Sequence, residues 1–155
     1  MHHPTLTLYQ KLIFHHKGRS VFTIFMFFLL AFGLSRTFAY FHKFGFFPYY
    51  PFDNVFGTHI HHFVFGIALV SLVGFLSLTL PHSVLQSWRL KLSAIYGFGF
   101  GWIIDEFGMW LHLENNYYLR LNYDAVIIIS IILINFVYFS KIWKHIFYKI
   151  FKKFQ

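Results

Sequence analysis

Four runs of almost unbroken apolar residues dominate this chain, and polar residues interrupt them at only a few places. The first run covers about 20–41 and is broken only by Ser35, Arg36 and Thr37. The second, about 58–80, is closed by Pro81; the third, about 93–113, contains Asp105 and Glu106; the fourth spans about 124–140. A helix needs roughly 20 apolar residues to cross the hydrocarbon core of a bilayer. The pattern therefore predicts an all-α, polytopic membrane protein, one domain over 1–155 with four transmembrane helices. Over 141–155, Ile142, Ile146, Ile150 and Phe154 share one helical face and lysines take the other. Such a basic amphipathic segment lies in the head-group plane, and the N-terminal segment is expected to be interfacial as well.

The positive residues orient these spans. Lys11, Lys17 and Arg19 precede the first, Arg89 and Lys91 separate the second from the third, and Lys141, Lys144, Lys149, Lys152 and Lys153 follow the fourth. Ten of the thirteen Lys and Arg residues thus fall on one side. By the positive-inside rule both termini are cytoplasmic, in a bacterial inner (plasma) membrane. The first run is too long for the core of a cleavable signal peptide and lacks a small-residue cleavage site.

Composition agrees. Only 12% of the 155 residues are charged, against about 25% in a soluble domain, too few to cover a water-facing shell. The formal charge of +8 is spread around apolar runs and forms no soluble basic face, so the expected partners are membrane lipids and not nucleic acid. Absence of cysteine excludes disulfides and thiolate metal centres.

Orientation gathers the rare polar groups in the outer half of the bundle. Arg36 and Tyr40 end the first span, and His59, His61 and His62 open the second. Asp105, Glu106, His112 and Glu114 lie along the outer part of the third, and Asn122, Tyr123 and Asp124 open the fourth. Four of the five acids fall there, and the fifth, Asp53, is in the loop above. Gly97, Gly101, Asp105, Gly108 and His112 share one helical stripe, as do His59, His62 and Gly66, with Gly74 two turns below. Glycine stripes admit a close neighbour, so Asp105 and His112 are expected to point inward. His61, rotated by about 100° from His62, is expected to face lipid head groups or a neighbouring subunit. Glu106 leaves the stripe and needs a partner from another helix or a wet cavity.

Three kinds of chemistry fit this cluster. Imidazole and carboxylate are the ligands that zinc, iron or manganese accept without sulfur. The same groups can form an ion-pair network in which Arg36 neutralises Asp105 or Glu106, or line a proton or ion path. No H-E-x-x-H motif is present, and the glycines of 97–101 sit inside a span and not after a strand, which excludes a dinucleotide loop.

The segments "HIHHFVFGI", "GFGFGWIIDEFGMWLHLENNYY" and "YDAVIII" resemble a family of small bacterial integral membrane proteins. Its members carry an Ile-His-His motif opening one span, Asp-Glu-Phe in the next, and a Trp-Leu-x-Leu-Glu-Asp-x-Tyr-Trp continuation. The resemblance covers about 57–128 and departs at "ENNYY", where the family more often has a second acid and a Trp. It implies importance for His61, His62, Asp105 and Glu106 without naming an activity. If His61 and His62 act as a pair, the start of the second span must be turned or unwound.

The leading expectation is a divalent metal (zinc, iron or manganese) held by His59, His61, His62, Asp105 and His112. Glu106 would act as general base for bound water, and Arg36, Glu114 and Asp124 complete the polar set. That describes a metal-binding protein or metal-dependent enzyme acting on a lipid or lipophilic substrate at the outer leaflet. The alternatives are a small oligomeric ion, proton or metal transporter, and an accessory subunit of a larger membrane complex. Orientation is directly testable: single cysteines at Asn54 and Asn116 should react with an impermeant thiol reagent in intact cells, and one at Gln155 should not. Labelling at Gln155 alone would reverse the topology.

Overall fold

In a computed structural model, residues 16–46, 60–113 and 119–152 are described, and all regular structure among them is helical. The elements are α1 (His16–Lys43), α2 (His62–Thr79), α3 (His82–Asp105), α4 (Phe107–His112), α5 (Arg120–Tyr138) and α6 (Ser140–Lys152). Three segments are long and apolar enough to cross a membrane: Gly18–Lys43, His62–Thr79 and Arg120–Tyr138. The protein is therefore an all-helical membrane protein with three such helices among the described residues.

The third expected span, about 93–113, is placed differently. The helix there starts at His82 and stops at Asp105, and its first ten residues include His82, Gln86, Arg89 and Lys91. Those residues keep it below the apolarity of the other three. Glu106 takes a bridging conformation (φ −105°, ψ 11°), after which α4 runs for six residues. Leu113, in the left-handed region at φ 55°, ends α4 by returning its N–H to the Met109 carbonyl, one common way to satisfy a last-turn acceptor.

α3 is the central element. It runs parallel to α1, with Gly97 against Ile24, Gly101 against Phe28 and Asp105 against Arg36. It runs antiparallel to α2, with Gly99 and Gly66 in backbone contact. α5 descends beside α1 and α3, and Phe28, Ile104 and Val126 form the shared core. The expected stripe thus divides: Gly97 and Gly101 face α1, Gly99 faces α2, and Gly108 faces α5. Gly74, expected on the packed stripe, has open space beside it. Most aliphatic side chains of α2 and α5 point outward; Leu78, Ile127, Ile128 and Ile131 are all exposed. Lipid contact suits that arrangement, because no water-facing polar surface is required of them.

Several hydroxyls within the helices are satisfied locally. Thr23 donates to the Arg19 carbonyl, Thr37 to Gly33, Ser77 to Val73 and Ser93 to Arg89, all four residues back. This back-bonding removes the need for water at these positions.

Glycine packing predicts a sharp contrast between two substitutions. A Cβ on Gly101 would lie 2.5 Å from the Phe28 carbonyl oxygen and 2.8 Å from the Ala31 Cβ, whereas one on Gly74 meets nothing within 4 Å. Gly101→Ala should cost about 1–3 kcal/mol through overpacking, and Gly74→Ala should leave stability unchanged or slightly raised. Unfolding of both variants in mixed detergent–SDS micelles measures the difference.

Candidate functional site

The polar cluster is assembled at the end of the bundle where the C-terminal ends of α1 and α3 meet the N-terminal end of α2, by two local departures from helix. His61 stands just outside α2 with extended backbone (φ −67°, ψ 137°). Glu106 occupies the break between α3 and α4. On continuous helices His61 and His62 would diverge by about 100°, as would Asp105 and Glu106. The extended His61 and the turned Glu106 bring both pairs into one chain of contacts.

That chain begins at Arg36 of α1, which is buried although it sits in the middle of an apolar run. Its Nε donates to Asp105 Oδ1 at 2.5 Å, and a terminal nitrogen donates to the Asp105 carbonyl at 2.6 Å. Phe32 and Tyr123 flank the guanidinium, with ring centroids 5.3 and 4.8 Å from its central carbon. Tyr123 also contacts Tyr40, hydroxyl to hydroxyl, at 3.0 Å. The other oxygen of Asp105 lies 2.9 Å from His62 Nε2. His62 Nδ1 is 3.4 Å from Glu106 Oε1, and His61 Nδ1 is 3.0 Å from the same oxygen. The Phe63 backbone N–H donates to Glu106 Oε2 at 3.0 Å, serving one of the unsatisfied donors that open every helix.

Access is graded along the chain. Asp105 is fully buried, and His62 and Glu106 nearly so, whereas the His61 side chain is 29% exposed. Trp102 closes over His62 edge-on at 6.2 Å and packs in turn on Phe65 and Phe98. His61 is thus the outward member and Asp105 the innermost.

Charge counting shows what the arrangement demands. One guanidinium faces two carboxylates, and both ring nitrogens of His62 meet carboxylate oxygens. A carboxylate only accepts, and neutral imidazole has one N–H. A His62 ring with one N–H can donate to Asp105 or to Glu106, not to both.

The expected site residues separate accordingly. Arg36, His61, His62, Asp105 and Glu106 come together. His61, expected to face lipid head groups or a neighbouring subunit, contacts Glu106 with one ring nitrogen, because the helix has not yet started at it. Glu106, placed off the glycine stripe, is buried because the stripe ends at the break. His112 is exposed, since α4 does not continue the α3 register. Asp124 pairs with Arg120 at 3.6 Å on an exposed surface, apart from the network. His59 and Glu114 lie outside the described residues. Among the described residues, no group of three or more His, Asp and Glu side chains is arranged to hold a metal ion. The contacts form a chain of pairs.

Two contributors were absent from the sequence-based site. Asn122 is fully buried and accepts from the Gly108 N–H at 2.5 Å, which fixes α4 against α5. Tyr123 completes the aromatic cover of Arg36. Adjacent polar residues opening an apolar span were the available signal. Comparison with protein-family models, with curated proteins and with solved structures finds no match.

The ion pair generates a stability prediction. Arg36→Met leaves Asp105 charged and buried, at a cost of about 3–5 kcal/mol. Removing both charges together, in Arg36→Met/Asp105→Leu, should restore most of that loss. Unfolding in detergent compares the two; equal instability would show that packing and not charge is what Arg36 supplies.

Proposed function

We propose that the protein is a multi-pass protein of the bacterial inner membrane that binds a proton from the outer side, in the manner of a small proton-coupled transport protein. In this reading α3 is a fourth span, both termini are cytoplasmic and α6 lies in the interface. Several observations support the arrangement. α3 has 24 residues, about 36 Å of helix, and packs along two helices that are apolar enough to cross. α6 carries exposed Ile142, Ile146 and Ile150 together with exposed Lys149 and Lys152. Membership of the small membrane-protein family with Ile-His-His and Asp-Glu-Phe motifs is part of the same proposal.

The observation that carries the function is the run of contacts in which one guanidinium and two carboxylates are bridged by His62. A proton arriving at partly exposed His61 meets Glu106, then His62, then Asp105, and stops at Arg36. Below that point the backbone contacts of Gly66, Gly97, Gly99 and Gly101 close the bundle. Access is one-sided, which fits a coupling site and not an open pore. Four helices packed this closely enclose no lumen, so transport would proceed in a homo-oligomer or within a larger membrane complex.

One observation favours a second reading, a divalent metal. Glu106 Oε1 is shared by the Nδ1 atoms of His61 and His62, and a ligating histidine commonly holds a carboxylate with its other nitrogen, as His62 does with Asp105. Zinc, iron or manganese would then take the place of the proton, with Glu106 as a ligand and not a general base.

Histidine-selective nitrogen NMR in nanodiscs separates the two. The wild type should show His62 protonated at both nitrogens at neutral pH, and Glu106→Gln, which removes one anion, should return it to a neutral imidazole. A neutral His62 in metal-free wild type would overturn the proton reading. Stoichiometric metal in protein purified without chelator, lost in His61→Ala, would establish the metal instead.

A further inference from the structure

A second polar feature lies at the opposite end of the bundle, where α2 turns into α3. A cavity of about 390 Å³ opens there between α1, α2 and α3. Ile24, Val73, Leu85 and Leu92 supply apolar walls, and Arg89 is its cationic group. The Arg89 Nε is buried and has no hydrogen-bond partner; Ser20 Oγ, on α1 one turn before Ile24, is the other buried polar atom in this condition among the described residues. A buried donor left unsatisfied is costly, more so when it is charged.

Among the described residues, no acidic side chain lies beside Arg89 as a counter-ion. Asp105, Glu106 and Asp124 all lie at the other end, with Asp105 sixteen residues further along α3, about 24 Å away. The cavity itself has no acidic lining residue; Ser77, Gln86 and Tyr96 add neutral hydrogen-bonding groups around the guanidinium. An anion entering the cavity would supply the partner that the Arg89 Nε lacks.

We infer that this cavity binds a phosphate oxyanion carried on an acyl chain, that is, the head group of an anionic phospholipid. Guanidinium recognises phosphate oxygens through paired N–H donors, and the four aliphatic walls continue the site into a region suited to hydrocarbon. Basic pockets between membrane helices bind lipid head groups on the cytoplasmic side in this way, and the positive residues place this end there. The inference stands apart from the proton site: the two share no residue.

Native mass spectrometry of the full chain in detergent tests it, with phosphatidylglycerol, phosphatidylcholine and inorganic phosphate as probes. Wild type should retain phosphatidylglycerol in preference to phosphatidylcholine. Arg89→Gln should weaken that retention about tenfold, the size of one charge-assisted contact. Lys91→Gln serves as the control, because Lys91 lies 4.8 Å over the exposed Trp88 ring and does not line the cavity; it should leave retention unchanged. Unfolding measured alongside shows that Arg89→Gln remains folded, and Arg89→Lys, which keeps the charge, should recover part of the binding if the fold is intact. Failure of millimolar inorganic phosphate to displace the lipid is expected; displacement would make free phosphate the ligand and overturn the lipid assignment. Equal losses in Arg89→Gln and Lys91→Gln, or no preference for phosphatidylglycerol, would reduce the effect to diffuse surface charge and overturn the site.

Discussion

One end of this bundle depends on a single buried ion pair, Arg36 with Asp105. An arginine in the middle of an apolar helix is tolerated only if its charge is answered and its donors are used. Asp105 does both, through its carboxylate and through its own backbone carbonyl. The pair sets the register of α1 against α3, since no other residue of α3 could accept from Arg36 in that way. It also leaves one oxygen of Asp105 free to face His62, so that α2 is tied into the same network. Phe32 and Tyr123, edge to face with each other, both pack against the guanidinium, recruiting α5 as the fourth wall.

Glycine makes the pair possible. A guanidinium reaches a carboxylate across two helices only when their axes are close, and Gly97 and Gly101 bring the α3 backbone against Ile24 and Phe28. Lipid offers no hydrophobic drive for helices to associate, so such contacts and interhelical hydrogen bonds hold the bundle. The same closeness seals the interior. A polar chain that starts at His61 therefore ends at Arg36, and the molecule has two chemically different ends: acids and imidazoles at one, a cavity lined by Arg89 at the other.

Much of this was written along the chain. The three helices apolar enough to cross a membrane follow from local composition alone, because the length of an apolar run is a property of sequence. The importance of Arg36, Asp105 and the histidines was legible for a related reason: ionisable residues are rare inside apolar runs, and each needs a partner. Helical spacing also marked Gly97 and Gly101 correctly as points of close approach.

Pairing was decided elsewhere. Periodicity assumes an unbroken helix, and the two positions where the helix fails, His61 and Glu106, are the ones whose direction it misjudged. A straight α3 would have carried His112 inward and Glu106 away; the break reverses both. Gly74 lies on the right stripe, yet no neighbour reaches it. Ligand types alone suggested a metal; whether the side chains meet at a point or link in pairs depends on interatomic distances, which a sequence does not contain. The sequence by itself determined which residues must be buried with partners, because the bilayer admits no unpaired charge. Only the tertiary structure decided who partners whom, because that choice rests on where two helices begin and break, which local composition does not encode.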